Sequence, residues 1–216
     1  MIVVKLGGSL NRDPLLRDWL ELLSTSGGGH VVVVSGGGGF ADQVREHQLH
    51  WQFDDLAAHN MAILAMMQSA TMFRSLAPGL EAATTSLDIA RVLRAGGVAV
   101  WYPADWIRTQ ANDMTHWGAT SDSLAAWLAT HIGASTLVLV KAADIRPAVD
   151  LAGHARSGMV DAEFCRLTGS ASYSIEVLGK TELSRLGNLL DRLTSGFSSS
   201  SSSSSGPGSD RGPDAH

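Results

Sequence analysis

Two apolar runs in this chain each stop abruptly on glycine: IVVKLGGSL at residues 2–10 and VVVVSGGGGF at residues 31–40. Nothing else in the sequence restricts the fold as strongly. Runs of β-branched residues without polar alternation are strands covered on both faces, and the glycines let a following turn bring main-chain N–H groups close to another group without a Cβ in the way. A helix after such a turn aims its positive N-terminal dipole at the same place, which suits an anion. Lys5, within the first run, adds a cation. One turn of this kind would be no more than a tight strand-to-helix connection. Two of them with a strand lysine point to a phosphate-bearing ligand, a nucleotide above all. Neither turn is a Walker loop, because no Gly-Lys-Ser/Thr closes the glycine run, and neither carries the dinucleotide fingerprint with its acidic ribose reader.

The rest of the chain alternates strand and helix. Leu15, Leu16, Trp19, Leu20 and Leu23 recur at helical spacing after Asp13-Pro14 and predict a helix over 13–24. Further helices are expected over 40–48, 54–76, 86–95, 121–132, 161–167 and 181–193, and further strands over 30–34, 98–101, 136–140 and 174–178. This order predicts an α/β protein with a mainly parallel sheet covered on both faces, whose ligands gather at the carboxyl ends of the strands. Both glycine turns lie there. From Ser195 the composition changes to eight consecutive serines at 198–205 and then GPGSDRGPDAH, which is too polar to bury a core. The expected organisation is one domain over 1–194 and a tail over 195–216 without structure.

A net charge of −5 and the lack of a basic stripe argue against a nucleic-acid partner. Small ligands fit better. The single cysteine, Cys165, excludes an internal disulfide framework, suits a reducing cytosol and is expected as a small packed side chain. No apolar stretch reaches the roughly 18 residues of a membrane span, and the N-terminus reads as a strand rather than a secretion signal. A cytoplasmic protein with no membrane partner is expected.

A third segment, Thr120-Ser121-Asp122-Ser123-Leu124-Ala125-Ala126, precedes the strand and turn LVLVKAADI at 137–145. An Asp at a helix start is commonly a cap. Taken in order with the two glycine turns, however, the set resembles the amino acid kinase family over residues 1 to about 194. The resemblance implies a three-layer α/β/α sandwich and ATP-dependent phosphoryl transfer to a phosphate or carboxylate acceptor. It implies that Lys5 neutralises the transferring group, that the glycine turns hold acceptor and phosphates, and that Asp122 orients lysines. Phosphoryl transfer depends on positioning and on neutralising charge, which suits such a set.

Two departures from the family pattern stand out. The usual Thr-Asp-Val-Asp-Gly reads Lys141-Ala142-Ala143-Asp144-Ile145, and the late Gly-Gly-Met-x-x-Lys reads Ser157-Gly158-Met159-Val160-Asp161-Ala162, without its lysine. Lys141 is a candidate replacement cation. TSDSLAAWLA, LVLVKAAD, VDAEFCRL and LAAHNMAILAMMQ resemble a branch of the family, the small kinases of methanofuran cofactor biosynthesis and their methylotroph relatives. That branch implies transfer of the γ-phosphoryl group to aminomethylfuran phosphate, giving its diphosphate.

The site expected from these readings has Lys5, Asp122 and Lys141 in catalysis. Gly7, Gly8, Ser9, Gly36, Gly37, Gly38 and Asp144 are expected at the nucleotide, and Gly39, Arg45 and His59 at the acceptor. No His or carboxylate spacing suggests a protein-held metal. Mg²⁺ is expected to travel with the ATP phosphates, touched at most by Asp144. His59 and Asn60 lie in an Ala- and Met-rich helix that suits packing or an interface. Trp101, Tyr102, Trp106 and Trp117 form either a stacking wall or core. The apolar residues around the 54–76 helix predict a homo-oligomer. Without its late lysine, the chain also fits a non-catalytic binding or storage protein of the same fold, or a regulatory ATP-binding subunit.

Overall fold

The strand β1 (Ile2–Leu6) is the centre of a six-stranded sheet, flanked by β2 (Val31–Ser35) and β5 (Thr136–Lys141). Beyond β2 lie β4 (Val98–Trp101) and the edge strand β3 (Leu80–Ala83), and beyond β5 lies β6 (Ser174–Gly179). The order is therefore β3-β4-β2-β1-β5-β6, and every pairing is parallel. The computed structural model describes residues 1–143, 145 and 151–198. Asp144 and the tail from 199 onward lie outside the described residues.

Every residue of β1 and β2 is buried, which is why these strands carry no polar alternation. Alternate side chains supply two separate cores. Val3, Val32, Val34, Leu137 and Leu139 pack on one face with α4 (Ser86–Arg94), α5 (Ser121–His131) and α7 (Ala162–Thr168). Ile2, Val4, Leu6, Val31 and Val33 pack on the other with α1 (Leu16–Ser26) and α8 (Leu183–Ser198). The long α3 (Asp55–Leu76) gives Ile63 and Met66 to the first core and Ala70 and Phe73 to the second. The result is the three-layer α/β/α sandwich with a parallel sheet that the strand pattern predicts.

The boundaries differ from the sequence expectations where turn chemistry intervenes. The first helix starts at Leu16 rather than Asp13, after a short 3-10 turn over Gly8–Arg12. Asp13 still serves the start, since Leu15 N–H donates to its Oδ1 at 3.0 Å, while Lys180 donates to Oδ2 at 2.7 Å. The helix α2 (Gly38–Trp51) begins inside the glycine run instead of after it, and ends at Gln52, whose φ of 55° is left-handed. Asp54 caps α3 by accepting from Ala57 N–H at 2.7 Å. The edge strand β3 escapes the sequence pattern because Leu-Glu-Ala-Ala has no β-branched residue. The short α6 (Leu151–Arg156) also goes unread, and α8 runs on to Ser198, past Leu193 and into the serine-rich segment.

Candidate active site

The parallel sheet brings the ends of β1, β2 and β5 together at one edge of the molecule, and three charged side chains meet there. Lys5 leaves β1 one residue before its end, Lys141 is the last residue of β5, and Asp122 is the second residue of α5. Lys5 and Asp122 are each only 4% exposed. The Lys141 ammonium donates to Asp122 Oδ2 at 2.5 Å. Lys5 Nζ lies 2.7 Å from Oδ1, an ion pair between two buried side chains.

Two ammonium groups, Lys5 buried and Lys141 13% exposed, set against one carboxylate favour an anion. Burial opposes ionisation of Asp122, yet the charges of Lys5 and Lys141 outweigh it and hold the carboxyl below the ordinary aspartate value. Burial first, and then repulsion by Lys5, pushes the Lys141 ammonium below the ordinary lysine value, against the pull of Asp122. Lys141 thus stands against the same carboxylate that, by the family resemblance, orients the lysines of the site.

The two glycine turns are one structure. A Cβ on Gly8 would stand 2.4 Å from Gly38 N, and one on Gly36 would stand 2.4 Å from Gly8 N, so the turns touch backbone to backbone. Gly38 has a φ of +54°, which a side chain would strain. The Gly7 N–H donates to the Val140 carbonyl at 2.8 Å and the Gly36 N–H to the Leu6 carbonyl at 2.9 Å. Those two peptides therefore tie the turns to the strand ends. The N–H groups of Gly8 and Ser9, at the start of the 3-10 turn, and of Gly38 and Gly39, in the first turn of α2, have no acceptor within their own helix.

Beside these turns opens a cleft of about 210 Å³ between α2, α3 and the segment before α5. Gly8, Ser9, Gly37, Gly38, Arg45, His59, Met66, Trp117 and Thr120 are among its lining residues. Arg45 pairs with Asp42 at 2.9 Å and lies 4.3 Å over the Trp117 ring. Trp117 in turn donates from Nε1 to Gln48 Oε1 at 2.5 Å. His59 Nε2 is 3.1 Å from the Trp106 carbonyl, which can only accept, so the proton sits on Nε2. Burial lowers the His59 value, the bond to Trp106 raises it, and the nearby Arg108 cation lowers it again; the net shift is downward and keeps the ring neutral near pH 7. Asn60 donates to the Arg108 carbonyl and accepts from the Arg108 N–H, both at 2.8 Å, and so fastens the segment after β4 to α3. Of the expected aromatic wall only Trp117 lines the cleft. Trp101 and Trp106 are buried and pack on Trp127, at 6.3 Å and 4.9 Å between ring centroids.

Several residues escape a sequence reading. The Arg12 guanidinium lies against Gly39, where a Cβ would stand 2.7 Å from Nη2. Thr120 caps α5, and Asp161 binds both Thr120 and Ser123. Among the described residues no three His, Cys, Asp or Glu side chains converge as a metal site. The main-chain donors, Lys5 and Lys141 fit polyphosphate oxygens, and a metal would fit only as a companion of those phosphates. No helix among the described residues is long and apolar enough to cross a membrane.

Comparison with known proteins bears on the family and the fold. Residues 1–144 match the Amino acid kinase family. The fold is similar to uridylate kinase from Archaeoglobus fulgidus, with a TM-score of 0.65 and 17% identity over 88% of this chain and 95% of that one. It is similar to UMP kinase from Bacillus anthracis, with a TM-score of 0.65 and 16% identity over 88% and 91% of the two chains. An isopentenyl phosphate kinase in complex with substrate gives a TM-score of 0.58 and 16% identity over 88% and 95%. No curated protein matches the chain in sequence.

Proposed function

The chain belongs to the amino acid kinase family, and from that premise we propose that it is an ATP-dependent kinase that moves the γ-phosphoryl group onto the phosphate of a small acceptor. The observation that carries the reading is the buried Lys5–Asp122–Lys141 cluster beside the joined glycine turns. An acceptor oxyanion attacks the γ-phosphorus in line. A new P–O bond forms there, the bond to the β,γ-bridging oxygen breaks, and ADP leaves with that electron pair. No general base is needed for an acceptor already ionised. Lys5 and Lys141 offset charge on the equatorial and bridging oxygens, and Asp122 keeps both ammonium groups in place. The N–H groups at Gly8, Ser9, Gly38 and Gly39, without acceptors in their own helices, hold phosphate oxygens of nucleotide and acceptor. Mg²⁺, if carried in by the nucleotide, supplies further charge neutralisation. Arg45 and His59 face the acceptor cleft.

A phosphate acceptor is favoured over a carboxylate because the neighbouring structures are named for phosphate-bearing substrates, uridylate and isopentenyl phosphate. Within that class we propose aminomethylfuran phosphate, on the sequence likeness to the methanofuran branch. The storage reading drew on the absent late lysine, and Lys141 against Asp122 removes much of that support. The test is phosphorus NMR of ATP with aminomethylfuran phosphate, for the wild type and for Lys5→Ala and Asp122→Ala. Diphosphate formed by the wild type and by neither variant is the expected outcome. ATP binding without acceptor-dependent ADP, over a panel of phosphorylated and carboxylated acceptors, would sink the kinase.

A further inference from the structure

One carboxylate ties the start of α5 to the start of α7. Asp161 Oδ2 accepts from Thr120 N–H at 3.2 Å and from Thr120 Oγ1 at 2.5 Å, while Oδ1 accepts from Ser123 Oγ at 2.5 Å and from Phe164 N–H at 2.6 Å. Both oxygens are thereby saturated with two donors each. The Thr120 hydroxyl has one proton, and by giving it to Asp161 it turns a lone pair toward the Asp122 N–H, which donates to it at 3.2 Å. The chain of bonds thus runs from Asp161 through Thr120 into the main chain of Asp122. Ser123, on the other side of Asp122, is fully buried and held by the same carboxylate. Asp161 also faces two helix starts at once, where the negative charge is favoured.

We propose that Asp161 is a positioning residue for phosphoryl transfer, fixing Thr120 and Ser123 on either side of Asp122 so that its carboxylate stands between Lys5 and Lys141. This rests on the kinase reading above. A capping residue would only stabilise α7, whereas three of the four bonds go to α5, and they bracket the one residue that both lysines touch. Among the described residues, the charges that act on Lys141 are those of Asp122 on α5, Lys5 on β1 and Asp161 itself.

Asp161→Asn keeps an acceptor at Oδ1 for Phe164 N–H and Ser123 Oγ but presents N–H groups at Oδ2, where Thr120 donates. Its kcat is expected to fall about 10- to 100-fold, as for a displaced catalytic group, while KM for ATP and acceptor moves by less than about threefold. Thr120→Val, which leaves the α7 cap alone, should fall in the same way, and Thr120→Ser should recover most of that loss. Carbon NMR of the labelled Asp122 carboxyl supplies a readout independent of turnover, and its acid titration should move upward in Asp161→Asn and in Thr120→Val. A lower Tm with unchanged kcat and an unchanged Asp122 titration in both variants would overturn the proposal and leave Asp161 as a cap. Should the wild type turn over no acceptor, the kinase reading fails, and the Asp122 titration still decides whether Asp161 sets that carboxylate.

Discussion

Asp122 holds two lysines in a place that water barely reaches, so taking its charge away strands both ammonium groups. Breaking a buried ion pair from one side costs about 3–5 kcal/mol, and Asp122→Asn is expected to lose stability on that scale at neutral pH, measured by urea unfolding. The sign of the pH effect follows from the lowered value of the folded carboxyl. An aspartate whose pKa is lower folded than unfolded adds stability that is fully present above the unfolded value of about 3.9, and loses it as pH falls through the folded value. The gap between wild type and Asp122→Asn should therefore narrow on acidification below the unfolded value. A gap that stays constant down to acid unfolding would show that the carboxyl carries no such charge. Lys141 sets the other limb. Its ammonium, depressed by burial and by Lys5, gives up its proton at a lower pH than an ordinary lysine. Activity should decline on the alkaline side before free lysine titrates, and Lys141→Arg, which stays charged, should lose that limb even if its kcat is lower.

At the scale of elements, the two strand-to-helix turns lean on each other, and this changes what their glycines are for. The sequence suggests two separate cradles, yet Gly8, Gly36 and Gly38 are needed first because the two backbones are in contact. Gly8→Ala would push a methyl group into Gly38 N at 2.4 Å, with backbone on both sides and no flexible side chain to yield. Overpacking of this kind costs about 1–3 kcal/mol, and it would also spread the N–H groups meant for phosphate. Gly133 is a useful control, with a φ of +64° but nothing within 4 Å of an added Cβ. Gly133→Ala should cost about 1 kcal/mol from backbone strain alone, leaving ATP affinity as in the wild type, whereas Gly8→Ala should weaken both stability and ATP affinity by calorimetry. Equal effects at the two positions would mean that contact between the turns matters little. The segment between β4 and α5 offers a second test. Asn60 grips the Arg108 backbone at both its N–H and its carbonyl, so Asn60→Ala should raise the acceptor KM more than the ATP KM, since Trp117 and Thr120 of that segment line the cleft proposed for the acceptor.

For the molecule as a whole, five of the six strands, their parallel sense and the places of Lys5, Asp122 and both glycine turns were legible from local pattern, because each sits in or beside a run whose periodicity names its element. What was not legible depends on convergence. Asp161 meets Thr120 across 41 residues, and Arg12 reaches Gly39 only because two turns are pressed together. Lys141 reads in the sequence as a replacement cation at a strand end, and only the register of β5 beside β1 puts it on Asp122. The same limit applies to self-association, which the apolar helix pattern predicts without saying which face serves. The structure narrows that face. Met61 and Leu64 on α3 are 37% and 47% exposed, and Leu49 and Trp51 at the end of the adjoining α2 are 78% and 70% exposed. Apolar side chains of this size left in water on neighbouring helices are a poor surface for a monomer, and covering each would contribute about 1.5–3 kcal/mol if burial were complete. Sedimentation velocity at micromolar concentration should give a species larger than one chain, and the double variant Trp51→Glu, Leu64→Glu should sediment as a monomer. A monomeric wild type would refute self-association, and an oligomer indifferent to both substitutions would move the interface elsewhere on the fold.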